Sequence, residues 1–231
     1  MKVAYITDDL YLQHNTGSMH PESPLRLKAI NKAIEPLRES LILKSPIKAS
    51  ETIIEYVHSY EHIESIKNIS EYGGSIDSDT VCSIDSYDAA SMAVGAGVVA
   101  LDGIKSGEFE RAFCAVRPPG HHATPTQAMG FCLFNNIAIA ARYAQSIGYE
   151  KVMIIDFDVH HGNGTQDTFY ADESVFYFSS HQAYTYPGTG AETDRGEGKG
   201  EGYTANFLMM PESTDSELLD IYENDLPPCI D

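Results

Sequence analysis

Two short stretches carry the side chains best able to do chemistry. In the first, Asp156, Asp158 and His160 recur at every second residue of Ile154-Ile155-Asp156-Phe157-Asp158-Val159-His160-His161-Gly162-Asn163-Gly164. Alternate side chains of an extended chain share a face, so the three would converge where a strand runs out. A carboxylate oxygen and an imidazole nitrogen suit Zn²⁺, with Fe²⁺ as the second choice. Alone, Asp158-Val159-His160 is a weak signal and reads more simply as a hydrogen-bonded polar pair in a loop. The second stretch is Arg117-Pro118-Pro119-Gly120-His121-His122-Ala123. Adjacent histidines after a rigid turn can act as a general acid and base beside a metal-bound water. The plainer reading is a solvated loop with incidental histidines. Asp156 and Asn163 are natural partners to fix the histidine tautomers.

The elements around these stretches must place them. An apolar run over 151–155 reads as a buried parallel strand, and its glycine-punctuated end leads into a short helix. A second buried strand is expected over 112–116, so the tandem histidines also follow a strand. Further strands are expected over 2–7, 175–179 and 205–209. Ser23 is a candidate N-cap with Pro24 at the first helical position, ahead of a helix with Leu25, Ala29, Ile30, Ala33 and Ile34 on one face. Helices are expected over 50–58, 60–72, 86–104 and 135–147, and over 214–224 with Ser213 as its cap. Gly73-Gly74 ends the second of these, 76–80 is a loop, and 184–202 is a glycine-rich loop. Gly95 and Gly97 inside the long helix each cost ~1 kcal/mol against alanine and are tolerated where backbones pack closely. Alternating strands and helices predict an α/β fold, a parallel sheet with helices on both faces. No repeat or linker interrupts it, so residues 1–231 read as one domain.

Composition removes other classes. The 231 residues include 15 basic and 34 acidic side chains, a formal charge of −19. That argues against nucleic-acid or membrane-surface binding. It serves solubility first and a cationic substrate second. No apolar run is long enough to span a bilayer, and the N-terminus reaches Asp8-Asp9 too soon for a secretory signal, so a cytoplasmic protein is expected. The sequon Asn163-Gly164-Thr165 is discarded on the same ground. Cys82, Cys114, Cys132 and Cys229 form no CxxC pair. Cys114 and Cys132 read as buried thiols, and disulfides are not expected.

Four motifs in order carry a resemblance: Arg117 to His122, Met129-Gly130-Phe131-Cys132-Leu133-Phe134-Asn135-Asn136, Asp156 to Gln166, and Tyr186-Pro187-Gly188-Thr189-Gly190. Together they resemble the histone deacetylase superfamily, nearest its class II-like and bacterial branch, which includes acetylpolyamine amidohydrolases. The likeness starts at His20-Pro21-Glu22. It implies a three-layer arginase/deacetylase-like fold and zinc-dependent hydrolysis of an N-acetyl amide on a protein lysine or a polyamine. By motif match, Asp158 and His160 are metal ligands, and His121 and His122 are the catalytic pair with His122 the base. Asp156 would hydrogen-bond His121, and Asn163 would orient His122. A structural K⁺ or Na⁺ would be held by Asp156, Asp158, His160, Ser179 and Ser180. Phe131 and Tyr186 would line the substrate channel, with Asp79 at its rim and Arg26 at an inner channel.

Two features of the resembled family are missing. Its third zinc ligand lies in a Gly-Phe-Asp-like segment, and its oxyanion tyrosine in a later glycine-rich loop. Asp215, Asp220, Asp225, Asp231, Tyr203 and Tyr222 lack those contexts. The expectation is therefore a chain lacking its C-terminal part, which by itself binds metal weakly and turns over little. Two other readings stand beside it. One is a degenerate module that binds acetylated amines or serves as a subunit. The other is a ureohydrolase, disfavoured because Gly162 stands where D-x-H-x-D would have its second aspartate.

Overall fold

A computed structural model describes residues 1–230; Asp231, one of the later aspartates considered above, lies outside them. The chain forms two compact units, 1–144 and the part from 145 onward. Among the described residues no helix is long and apolar enough to cross a membrane.

The first unit is built on a parallel sheet of β1 (Val3–Ile6), β2 (Ile42–Lys44) and β5 (Arg111–Cys114), in the order β2-β1-β5. Its helices are α1 (Leu25–Ile34), α2 (Glu51–Ile54), α3 (Tyr60–Tyr72), α4 (Ser86–Lys105) and α5 (Asn136–Ser146), the last running across the boundary. The loop expected after α3 is there, flanked by a small antiparallel hairpin of β3 (Gly74–Ser75) and β4 (Val81–Cys82) that periodicity could not reveal. Its core gathers Ile54, Ile63, Ile66, Val94, Leu133 and Phe134. The second unit has a parallel sheet of β6 (Val152–Asp156), β7 (Val175–Gln182) and β8 (Thr204–Met209), with β7 in the middle. It adds α6 (Asn163–Phe169) and α7 (Asp215–Asp220).

Local chemistry shifts several expectations. Helix α1 takes Pro24 as its cap residue, while Ser23 Oγ still accepts the Leu25 N–H at 3.3 Å. Its inward stripe is Leu27, Ile30 and Ile34; Leu25, Ala29 and Ala33 face out. The helix expected over 50–58 stops at Ile54, because the Ser59 N–H is captured by the Pro125 carbonyl at 2.9 Å and Ser59 then caps α3. Thr214, not Ser213, caps α7, in a capping box with Glu217. That helix ends at Asp220 and a π turn, Ile221–Asp225, follows. The strands at 112–116 and 151–155 are shifted by a residue and are only half buried, since Phe113 and Ile155 face outward. Cys114 is partly rather than fully buried, Cys132 is buried, and none of the four cysteines is in a disulfide among the described residues.

Helix α4 explains its glycines. Its small residues, Ala89, Ala90, Ala93 and Ala96, let neighbours approach closely. A Cβ at Gly95 would lie 1.8 Å from the Ile47 carbonyl oxygen, whereas one at Gly97 would meet only the Ala140 side chain, at 3.1 Å. Alanine in mid-helix gains ~1 kcal/mol, but forcing backbone apart costs about 1–3 kcal/mol or more. Gly95→Ala is therefore expected to lower the urea midpoint while Gly97→Ala leaves it nearly unchanged. Equal midpoints for the two variants would contradict this packing.

Candidate functional site

In the first unit the turn with the tandem histidines begins at a buried ion pair. Arg117 is fully buried. Its Nε and Nη2 donate to the two carboxylate oxygens of Glu22 at 2.7 and 2.6 Å, Nη1 donates to the Tyr11 carbonyl at 2.6 Å, and Nη2 to the His14 carbonyl at 2.8 Å. Burial works to raise the Glu22 pKa, but the Arg117 hydrogen bonds and charge outweigh it and hold the carboxyl below its usual range. His14 meets Ser86 Oγ through Nδ1 at 2.7 Å. Burial, with Arg117 beside it, lowers its pKa to about 4, so the ring is neutral. Arg26 borders this cluster, donating to the Val116 carbonyl at 3.0 Å and reaching Glu22 at 3.5 Å.

Pro118-Pro119-Gly120 then sets His121 and His122 side by side, with ring centroids 4.0 Å apart. His122 is buried. Its ring lies on Gly130, whose φ of +55° suits glycine and where a Cβ would come within 2.4 Å of His122 Cδ2. The far side of the loop is held by Asn135, whose Nδ2 donates to the Ala123 carbonyl at 3.1 Å. Asn135 is fixed in turn by its N–H, which donates to His58 Nε2 at 2.8 Å. His62 Nε2 donates to the Leu133 carbonyl at 2.8 Å and its ring stacks on His58. Burial, then the neighbouring His62, lowers His58 to about 3. Two of the expected channel residues also meet here. The His20 ring edge rests on Phe131 with centroids 4.8 Å apart, and its Nε2 donates to the Asp79 carbonyl at 2.8 Å. The contact with Asp79 is thus through its backbone. Burial, then Asp77, raises the pKa of its carboxyl.

In the second unit, β6 ends at Asp156, so the extended conformation does not run on to His160. The three groups are organised by a ladder instead. Asp156 Oδ1 accepts the Asp158 N–H at 3.2 Å, and Asp158 Oδ1 accepts the His160 N–H at 2.9 Å. This bend brings Asp158 Oδ1 to 3.2 Å from His160 Nδ1, both groups about half exposed. Asp156 Oδ2 accepts the Tyr177 hydroxyl at 3.1 Å. Burial, then the Asp156 charge, keeps that phenol protonated. The His160 ring meets Tyr186 edge-on with centroids 6.1 Å apart. Asn163 is buried at the start of α6. Ser179 pairs with Asp156 in the β6–β7 register, and buried Ser180 meets the Tyr222 hydroxyl at 3.0 Å. Among the described residues no group of three His, Cys, Asp or Glu side chains is arranged to hold a metal.

Each unit therefore collects its own share of the expected residues. His121 and His122 adjoin one another, Phe131 and Asp79 meet through His20, and Arg26 borders Glu22. Asp156, Asp158, His160 and Tyr186 lie in one cluster. The sequence reading assigned no role to Glu22, His14, His58, His62 or His161. His58 lies just before the Ser59 cap of α3 and His62 in its first turn, so no helical spacing signalled the pair.

Comparison with known proteins agrees. Residues 20–231 match the family model described as Histone deacetylase domain. A probable deacetylase of Archaeoglobus fulgidus is 36% identical over 237 residues, covering 100% of this chain and 65% of that protein. A histone deacetylase-like amidohydrolase of Pseudomonas aeruginosa is 38% identical, covering 87% of this chain and 54% of its own length. The crystal structure of the HDA15 HD domain superposes with a TM-score of 0.95 at 34% identity, over 99% of this chain and 68% of that one. The chain thus spans about two thirds or less of the length of these curated relatives, and its fold is the α/β arginase/deacetylase-like fold.

The buried histidines make stability depend on pH with a definite sign. Between pH 6.5 and about 4 the unfolded chain takes up a proton that folded His14 refuses, and the window for His58 extends to about 3. Stability is present in full above pH 6.5 and falls as pH drops. Glu22, depressed below its usual range, adds its own loss only at lower pH. At pH 5 each histidine should cost on the order of 2 kcal/mol. Urea unfolding at pH 7 and pH 5 checks this, with His58→Gln expected to shrink the difference. Identical midpoints at the two pH values would refute it.

Proposed function

This chain belongs to the histone deacetylase family, and from that premise we propose that it serves metal-dependent hydrolysis of an N-acetyl amide on an amine, a protein lysine or a polyamine. The observation that carries the reading is the 3.2 Å separation of Asp158 Oδ1 and His160 Nδ1. Two ligands about 2.0–2.1 Å from one tetrahedral zinc stand roughly 3.3 Å apart. The oxygen and nitrogen donors thus fit two positions of a zinc site, and a catalytic zinc takes three protein ligands and an open position. Fe²⁺ accepts the same donor types. When bound, zinc would supply a water of lowered pKa and polarise the acyl carbonyl.

The chain's own residues take the remaining roles in this proposal. A ring nitrogen of His122 receives the proton of the attacking water, and the His121–His122 pair returns a proton to the leaving amine. Gly130 and Asn135 hold His122 and the backbone after it, so the base needs little reorganisation. Asn163 and Asp156 serve as fixed polar supports. Phe131, Asp79 and Tyr186 contact the aliphatic part and backbone of the substrate, and Arg26 serves an inner channel. Asp156, Asp158, His160, Ser179 and Ser180 hold a K⁺ or Na⁺. The acidic surface favours cationic amines, and a cytoplasmic place of action belongs to the same reading.

Zinc titration of the 231-residue chain is expected to show one equivalent, held weakly for a zinc enzyme. Asp158→Ala or His160→Ala should abolish it. Turnover of an acetyl-lysine peptide or an acetylpolyamine should be slow and should fall a further ~10²-fold or more with His122→Ala, zinc binding being retained. Binding of acetylated amines with no turnover would identify a binding module. Two equivalents of metal would point to ureohydrolase chemistry, and no zinc binding would overturn the proposal.

A further inference from the structure

The structure assigns His161 a positioning role: its imidazole pins the turn 156–160 to the turn 186–190, so that Asp158, His160 and Tyr186 share one arrangement. The geometry stands by itself; its consequence for metal binding rests on the reading proposed above.

The ring is buried, and both nitrogens are bonded to different elements. Nδ1 lies 2.8 Å from Thr189 Oγ1, in the turn 186–190, and Nε2 lies 3.1 Å from Gln166 Oε1, on α6. The proton positions follow from the neighbours. Asn206 on β8 faces the carbonyls of Ala191 and Asp194 at 3.4 and 3.3 Å, and these can only accept. Asn206 therefore presents its Nδ2, which also donates to Gln166 Oε1 at 2.8 Å. That oxygen accepts again from His161 Nε2–H. The second nitrogen, Nδ1, pairs with the Thr189 hydroxyl. The proton on Nε2 is thus read from fixed carbonyls rather than chosen.

Packing fixes the ring as firmly as bonding does. Gly190 has φ +82°, and a Cβ there would lie 2.5 Å from both Cγ and Cδ2 of His161. The His181 ring stands 4.7 Å away, with its Nε2 donating to the Gly190 carbonyl at 3.0 Å and its Nδ1 accepting from Ser179 Oγ at 2.9 Å. The Val159 carbonyl accepts the Gln182 N–H at 2.9 Å, which ties the first turn to the end of β7. One residue from His161, the His160 ring meets Tyr186, three residues from Thr189. The two turns are thus joined twice, by His160 against Tyr186 and by His161 to Thr189. A buried ring that only filled space would need neither of its two oxygen partners.

Thr189 is exposed, so Thr189→Val removes the hydroxyl without opening the core. Hydrogen–deuterium exchange on the full chain should show faster exchange in 157–162 and in 186–190 together. Thr189→Ser, which keeps the hydroxyl, should behave as the parent. Zinc affinity should fall 10- to 100-fold in Thr189→Val and recover in Thr189→Ser. Exchange that rises in one turn only, or in neither, overturns the inference. Failure of the parent chain to bind zinc counts against the metal reading instead, and the exchange result still decides this one.

Discussion

A guanidinium taken out of water must have its donors met, and Arg117 meets this by organising the chain before it. Its partners are Glu22 and the carbonyls of Tyr11 and His14, about a hundred residues earlier. The loop after β1 is polar and rich in turn residues, and besides this pair it is anchored by buried Tyr11, whose hydroxyl donates to the Met92 carbonyl, and by His14 on Ser86. Such a pair adds little net stability against an apolar replacement, while loss of one partner costs about 3–5 kcal/mol. What it supplies is direction. Arg117 is the first residue of the turn that ends in His121 and His122, and the same carboxylate is approached by Arg26. One buried charge pair therefore sets where a loop, a helix start and a catalytic-type turn meet within the first unit.

The second unit solves a related problem with imidazoles. His161 and His181 are buried, and each is satisfied at both nitrogens by a hydroxyl and a carbonyl oxygen. Glycine makes this possible in both units. Gly130 against His122 and Gly190 against His161 are backbone surfaces too close to a ring to carry a Cβ, and both have positive φ.

Much of this was legible because punctuation and chemistry coincide. Pro118-Pro119-Gly120 and Gly162-Asn163-Gly164 mark where strands give way to turns, and the histidines and carboxylates stand beside them. Most strands and helices followed from periodicity, and α3 was expected with its observed limits, but the short strands β2, β3 and β4 were not expected. The errors have physical causes. The stripe of α1 was misplaced because Leu25, Ala29 and Ala33 are as apolar as the residues that face in. Helix α2 was overextended because nothing local announces that Ser59 will bond Pro125, sixty-six residues away. The Arg117–Glu22 pair and the His161 network join residues far apart in sequence, and no single stretch records them.

The metal-type turn shows why the failed part of the strand expectation matters. In a strand, residues i and i+2 share a face but stand ~6.6 Å apart along the chain. The donors of one small cation lie roughly 3.3 Å from each other, so side chains at that spacing must lean together or the chain must bend. Here the strand stops at Asp156, and the chain folds on itself before His160. The carboxylates perform that fold, each accepting the backbone N–H two residues on. Asp158 so has two tasks, bending the chain with Oδ1 and presenting the same carboxylate beside the imidazole. An amide at 158 could accept the same hydrogen bond but would bring no negative charge beside the imidazole. The aspartate-x-aspartate-x-histidine spacing is thus a constraint on a bend, and the strand before it serves to deliver that bend to the sheet's carboxyl edge.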